Sequence, residues 1–154
     1  MIRYNQKMCD LLRDLERQSL ATDLKSLSDK GFTNQDGCWF LSDCLGAARS
    51  VSLSDFPDRT GYEAFVNSVH IEGDGQENRI VQALEFINEV FNAWNFSKRP
   101  KKFVAIVSTD EDNTVVKFHI KRPSEYWVSN SIERYLDAIL VAESTDEISA
   151  LLRK

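Results

Sequence analysis

The residues of this sequence best suited to chemistry are its two histidines, His70 and His119, with Lys117 and Lys121 close to the second one. Two histidines and a lysine can cleave RNA by general acid–base catalysis, because one ring removes the 2′-hydroxyl proton while the other protonates the leaving oxygen. Both rings would have to reach one phosphate, within about 10 Å of each other. Histidines on strands more often serve as polar-face or core residues, so we expect no enzyme.

A cationic segment surrounds the second histidine. Residues 98–122 contain seven cations and three anions, whereas the rest of the chain contains 12 cations and 21 anions. Aromatic rings beside such a patch, here Tyr126 and Trp127, can stack on the bases of a single strand. The net charge of −5 and the acidic surroundings would repel a polyanion. A small RNA-binding or RNA-cleaving domain that uses this patch with His70 and His119 is therefore the alternative hypothesis. The seven cations are Lys98, Arg99, Lys101, Lys102, Lys117, Lys121 and Arg122.

Motifs for metals and phosphates are missing from the sequence. Cys38 and Cys44 have five residues between them, which is wider than the spacing of zinc sites. Cys44 lies on an apolar helical stripe, where a free cysteine behaves as a small hydrophobic residue. No phosphate-binding glycine loop and no nucleophile elbow is present. We expect no cofactor, no metal and no catalytic residue.

The acidic excess is greatest in residues 55–89, where eight carboxylates accompany only Arg59 and Arg79. Charges separated in this way steer charged partners and speed their encounter. Loop carboxylates beside aromatic rings could imitate a phosphate backbone for a basic protein partner, and aromatic anchors would supply the strongest contacts. The predicted partner-binding residues are Asp55, Phe56, Asp58, Tyr62, Glu63, Glu72, Asp74, Glu77 and Trp127.

Length and composition indicate one globular domain spanning residues 1–154, because 42% of the residues are apolar and can form a core. No apolar run approaches the roughly 18 residues of a membrane span. The first residues lack the apolar core of a signal peptide. Three cysteines are too few for a disulfide scaffold, so we expect a protein of the reducing cytoplasm.

The elements that must position these residues begin with helices. Apolar residues from Met8 to Leu15 recur at helical spacing, and the stripe slips after Ser19 before it resumes at Leu20. A bend, or two consecutive helices, is therefore predicted before Gly31 ends the run. A turn at 33–37, a short helix at 41–48 and a loop at 52–61 follow.

Alternating strands and helices are predicted for the remainder. Residues 62–71 read as a strand, and an apolar stripe from Ile80 to Trp94 predicts a long helix over 76–96. Residues 103–108 and 115–121 form a predicted hairpin, with a further strand at 138–143 and a last helix after it. We expect an α+β fold, a single domain with a mostly antiparallel sheet of about four strands and helices packed against it.

Two passages are similar to a known family. Tyr-Glu-Ala-Phe-Val-Asn-Ser-Val-His-Ile at 62–71, and Phe-His-Ile-Lys-Arg-Pro at 118–123 followed by Trp127, resemble small bacterial immunity proteins. These accompany polymorphic toxins, including those of contact-dependent growth inhibition. The resemblance covers residues 60–143 and implies a cytoplasmic protein that binds one cognate toxin domain, often a nuclease, and occludes its active site. It carries over no catalytic residue.

Overall fold

An antiparallel five-stranded sheet is the centre of the computed structural model, which describes residues 1–153. The α+β class with a mostly antiparallel sheet is confirmed, and the sheet has one strand more than expected because residues 3–4 pair with residues 140–141. In spatial order the strands are β1 (Arg3–Tyr4), β7 (Ala138–Glu143), β5 (Phe103–Thr109), β6 (Thr114–Ile120) and β4 (Ser68–His70). A separate hairpin contains β2 (Phe32–Gln35) and β3 (Cys38–Leu41).

Five α-helices accompany the two sheets in the described chain. The two consecutive N-terminal helices and the long helix are confirmed, although the predicted turn at 33–37 is part of the β2–β3 hairpin. The predicted last helix is a single 3₁₀ segment, Ile148–Leu151. The helices are α1 (Gln6–Leu11), α2 (Thr22–Asp29), α3 (Ser42–Ala47), α4 (Arg59–Val66) and α5 (Gln76–Phe96).

Helix α5 covers one face of the main sheet and forms the largest part of the core. Its apolar stripe from Ile80 to Trp94 is buried against alternate residues of the strands, as a one-sided apolar helix requires. Phe103 stacks between Trp94 and Phe118, with ring centroids 4.6 Å and 5.4 Å away. Of the helices within residues 1–153, none is long and apolar enough to span a bilayer.

The predicted strand over 62–71 is wrong in its first half, where α4 forms instead. Asp58 is the N-cap of this helix, and its carboxylate accepts a hydrogen bond from the Gly61 amide at 2.7 Å. Glu63 and Ala64 favour a helix, whereas the β-branched residues Val69 and Ile71 come later. Pairing with β6 is therefore confined to Ser68–His70.

Residues 121–137, here called the covering segment, cover the outer face of the main sheet, opposite α5. Within it Val128, Ile132 and Tyr135 pack on the sheet. Because the covering segment has little regular structure, it leaves cavities above the strands. The sheet residues beneath it are Val104, Ile106, Ile139 and Val141.

Asn67, which ends α4, joins the small hairpin to the main sheet. Its buried side chain accepts a hydrogen bond from the Leu41 amide at 2.8 Å and donates to the Trp39 carbonyl at 3.0 Å. The same amide group donates to the Phe118 carbonyl of β6 at 3.2 Å. One side chain therefore links β3 and β6, which belong to different sheets.

Replacing Asn67 with alanine should lower the free energy of unfolding by about 3 kcal/mol, because a buried amide and two carbonyls lose their partner. The matched control is Asn34→Ala, at an exposed position of β2, which should change stability little. Urea unfolding followed by circular dichroism measures both values. Equal effects of the two substitutions would contradict the role given to Asn67.

Candidate functional site

The predicted partner-binding residues do not form one surface. Tyr62 and Glu63 are 2% and 0% exposed, so their prediction as contact residues is wrong: α4 turns both side chains inward. Phe56 is half-buried and stacks on Tyr62, with ring centroids 5.3 Å apart. Trp127 is 43% exposed and remains accessible to a partner.

Asp55 and Asp58 lie at the start of α4. Asp55 closes a capping box with Ser52, and Asp58 caps the helix, so both carboxylates are engaged by backbone amides. Thr60 follows directly and receives a hydrogen bond from Arg122 at 3.1 Å, which places this corner beside the covering segment.

Glu72, Asp74 and Glu77 lie at the other end of the main sheet, where the β5–β6 turn joins them. The buried Arg79 guanidinium donates to the Asp110 carbonyl at 3.1 Å and to the Glu111 carbonyl at 2.8 Å, which holds the turn against the start of α5. The partner-binding residues predicted from the sequence did not include the carboxylates of this turn. We call the acidic end the six exposed residues Glu72, Asp74, Glu77, Asp110, Glu111 and Asp112.

Most cations of residues 98–122 lie at the opposite end, where β5 begins and β6 ends. Each strand has seven residues, so the two ends are about 20 Å apart. Lys102 and Lys121 both pair with Glu143. Within residues 98–122, most of the cations therefore lie at one end of the β5–β6 hairpin and the three anions lie at the other end.

The buried Glu63 carboxylate is a hub for hydrogen bonds. It accepts from both terminal nitrogens of Arg122 at 2.6 Å and 2.9 Å, and from the amides of Trp39 at 2.7 Å and Ile120 at 2.9 Å. Burial acts to lower the pKa of Arg122, but the hydrogen bonds and charge of Glu63 outweigh it and the pKa is raised. Arg122 is therefore held in an ion pair with Glu63.

The two histidines are not brought together. His70 pairs with Val115 on β6, four residues before His119 on the same strand. Four residues of a strand span about 13 Å, which exceeds the reach that one phosphate allows. The strand register therefore argues against RNA cleavage by this pair.

His119 lies on the outer face and is 5% exposed. Burial lowers its pKa below the usual 6.5, and this outweighs the hydrogen bond between Nδ1 and the Ile120 carbonyl, 2.8 Å long, which acts to raise the pKa. A carbonyl accepts only, so Nδ1 carries the proton of the neutral ring and Nε2 is left as an acceptor.

Trp127 separates two cavities on the outer face. Lys117 lies 5.5 Å from the centre of its ring and donates to the Ser68 hydroxyl at 3.0 Å, and burial lowers the pKa of this lysine. One cavity has a volume of about 480 Å³ and reaches towards the acidic end past Leu136, which is 89% exposed. The other, of about 300 Å³, lies over His119.

The cysteines lie in apolar surroundings. Burial, with a contribution from Glu63, raises the pKa of Cys38 to about 11, and burial, with Asp43, raises that of Cys44 to about 11. Both thiols are thus protonated at neutral pH. Across residues 1–153 no three histidines, cysteines or carboxylates are grouped as metal ligands.

The protein is an α+β domain with two distinguishing features. Its main sheet carries opposite charge at its two ends, and the aromatic residues Tyr126 and Trp127 are exposed. The chain belongs to the Uncharacterized protein PM0498 family, whose model matches residues 3–151. It is similar to the Uncharacterized protein PM0498 of Pasteurella multocida (strain Pm70), with 29% identity over 139 residues, 81% of this chain and 87% of that relative. No solved structure matches the chain.

Removing one partner of the Glu63–Arg122 pair should be costly because the other remains buried. Arg122→Met should lower the free energy of unfolding by about 3–5 kcal/mol. The double variant Glu63→Gln/Arg122→Met should lose less than the sum of the two single variants. Lys25→Met, which breaks an exposed pair with Asp29, is the control and should have little effect. Additive losses in urea unfolding would contradict the coupling.

The lowered pKa of His119 predicts a loss of stability in mild acid. Above about pH 6.5 the His119 ring is neutral in both the folded and the unfolded protein. Below that pH the unfolded chain binds a proton before the folded protein does, so the free energy of unfolding falls. Urea unfolding between about pH 7.5 and 5.5 should show a fall that is smaller in His119→Phe. Parallel curves for the two proteins would contradict the prediction.

Proposed function

We propose that this protein is an immunity protein that acts in the bacterial cytoplasm by binding one cognate toxin domain and occluding its active site. The observation that carries this proposal is the acidic end. Its six carboxylates come from two chain segments, which Arg79 joins by hydrogen bonds to the carbonyls of Asp110 and Glu111. None of the six forms an ion pair with another residue of the described chain, so their charges remain available to a partner.

A basic active site is the complement of such a surface. A nuclease binds phosphates with lysine and arginine, and carboxylates on a rigid corner can occupy the same groups. Asp110 is well suited to this because the amides of Asn113 and Asp112 lower the pKa of its carboxyl, which keeps it ionised. Opposite charges on the two proteins would raise the association rate and select the orientation of docking.

Apolar anchors lie beside the acidic end. The cavity of about 480 Å³ extends from Val115 and Ser108 of the hairpin to Trp127, with Leu136 on its rim. Tryptophan is among the residues that most often carry the binding energy of an interface, and here that residue is Trp127. We place the toxin contact on the acidic end and this adjoining part of the outer face.

RNA binding finds less support at the basic end. Arg122 is engaged by Glu63, and Lys102 and Lys121 share Glu143, so three of the seven cations already have carboxylate partners. Arg99 is held among aromatic rings, 4.7 Å from Trp94. No second function is proposed.

The test begins with the gene next to the one for this protein, which should encode a toxin-like domain if the proposal is right. Coexpression should restore growth to cells that produce that domain, and the purified proteins should form a one-to-one complex. The triple variant Glu72→Lys/Asp74→Lys/Glu77→Lys should bind at least about tenfold more weakly, mainly through slower association. Surface plasmon resonance measures both rates.

The matched control is Glu16→Lys/Asp43→Lys/Glu147→Lys, which makes the same change of net charge at exposed positions elsewhere. It should retain rescue and affinity. Equal losses in the two triple variants would remove the acidic end as the contact surface. Absence of both rescue and complex with the wild-type protein would overturn the proposed function.

A further inference from the structure

The smaller outer-face cavity, of about 300 Å³, has the construction of a ligand site. Its floor consists of aliphatic side chains from two strands, β5 and β7, and the covering segment supplies Tyr126 and Trp127 as walls. Ligand sites commonly combine such apolar walls with a few convergent polar groups. The aliphatic residues of the floor and sides are Val104, Ile106, Val128 and Val141.

His119 supplies the polar group at the bottom of this cavity. Its Nδ1 is used by the Ile120 carbonyl, whereas Nε2 makes no hydrogen bond to any residue between 1 and 153. Every fully buried side-chain nitrogen or oxygen in that range has a partner. Nε2 therefore keeps contact with the cavity that His119 lines, and it offers a lone pair on a ring that is 95% buried.

The rim of the cavity carries a positive charge that is not fully compensated. Lys121 follows His119 by two residues on the outer face, about 7 Å along the strand, and shares Glu143 with Lys102. Glu125 accepts a hydrogen bond from the Thr60 hydroxyl at 2.9 Å. Arg3, across the cavity, has no ion pair within residues 1–153. Glu143 lines the cavity as well and is paired with Lys121, so Arg3 is the cation left to contact an anionic group.

We propose that this cavity binds a small planar ring that carries an N–H or O–H donor and an anionic substituent. The ring lies against Trp127 and Tyr126, its donor reaches Nε2 of His119, and the anion contacts Arg3. Nucleotides and aromatic carboxylates share this chemistry. The site lies apart from the acidic end, although Trp127 lines both outer-face cavities.

Proton NMR tests the proposal directly because the chain contains two histidines. One arm titrates the protein with the 3′,5′-cyclic monophosphates of guanosine and uridine, and the other with indole-3-acetate and 4-hydroxyphenylacetate. The ring signals of His119 should move saturably, while those of the exposed His70 stay in place. Binding in one arm alone identifies the source of the ligand.

Variants separate the individual contacts. His119→Phe keeps the volume but removes the acceptor, and it should weaken binding about tenfold, the equivalent of about 1.4 kcal/mol, as followed by calorimetry. Arg3→Gln should weaken the anionic probes while leaving the affinity for neutral indole or phenol unchanged. His70→Phe is the matched control and should bind as the wild type does.

Two results would overturn the proposal. One is the absence of any saturable shift of His119 with all four probes at millimolar concentration. The other is an affinity of His119→Phe equal to that of the wild type. Since neither measurement involves a toxin, failure here leaves the proposed function standing, and failure of the toxin test leaves this site standing.

Discussion

The structure depends on two polar side chains of α4, Glu63 and Asn67, each of which forms hydrogen bonds to the backbones of both β3 and β6. Glu63 and Asn67 are four residues apart and therefore lie on the same face of the helix. Glu63 accepts from amides of β3 and β6, and Asn67 bonds to both strands as well. These polar side chains take the place of strand pairing between the β2–β3 hairpin and the main sheet. Unpaired backbone groups in the interior are expensive, so this arrangement constrains everything built around α4.

The same constraint reaches the surface through Arg122. Because Glu63 holds this guanidinium, the covering segment leaves β6 in a fixed direction and lays Trp127 over the outer face. The two passages that resemble immunity proteins, 62–71 and 118–123, are in contact through these bonds. In this chain their residues serve the scaffold, and the charged surface that we propose as the toxin contact is formed largely by other residues. The resemblance therefore describes the framework more than the recognition surface.

What sequence could predict follows from how local each signal is. Helix α5 and the β5–β6 hairpin have strong periodicity within one segment, and both were predicted. Helix α4 was not predicted because it is stabilised by features outside its own periodicity. These are the N-cap Asp58 and the contacts with β3 and β6, which are far away in sequence. Of the acidic end, Glu72, Asp74 and Glu77 were predicted, but the carboxylates of the β5–β6 turn were not. The turn lies beside them because Arg79 bonds to carbonyls more than thirty residues further along the chain. The separation of the histidines needed the strand register, which a single sequence does not contain.

The β5–β6 hairpin is acidic at one end and basic at the other, so the electric field of the molecule differs in sign between these two ends. A basic partner is attracted to the acidic end and repelled from the basic end, so the field itself favours one orientation of encounter. An anionic ligand is directed to the other end, where the cavity over His119 lies. Trp127 lines both outer-face cavities, and its position therefore matters to the two proposed sites together. Any ligand that fixes this ring changes the surface offered to the protein partner, and linkage requires that the partner change the affinity for the ligand by the same factor.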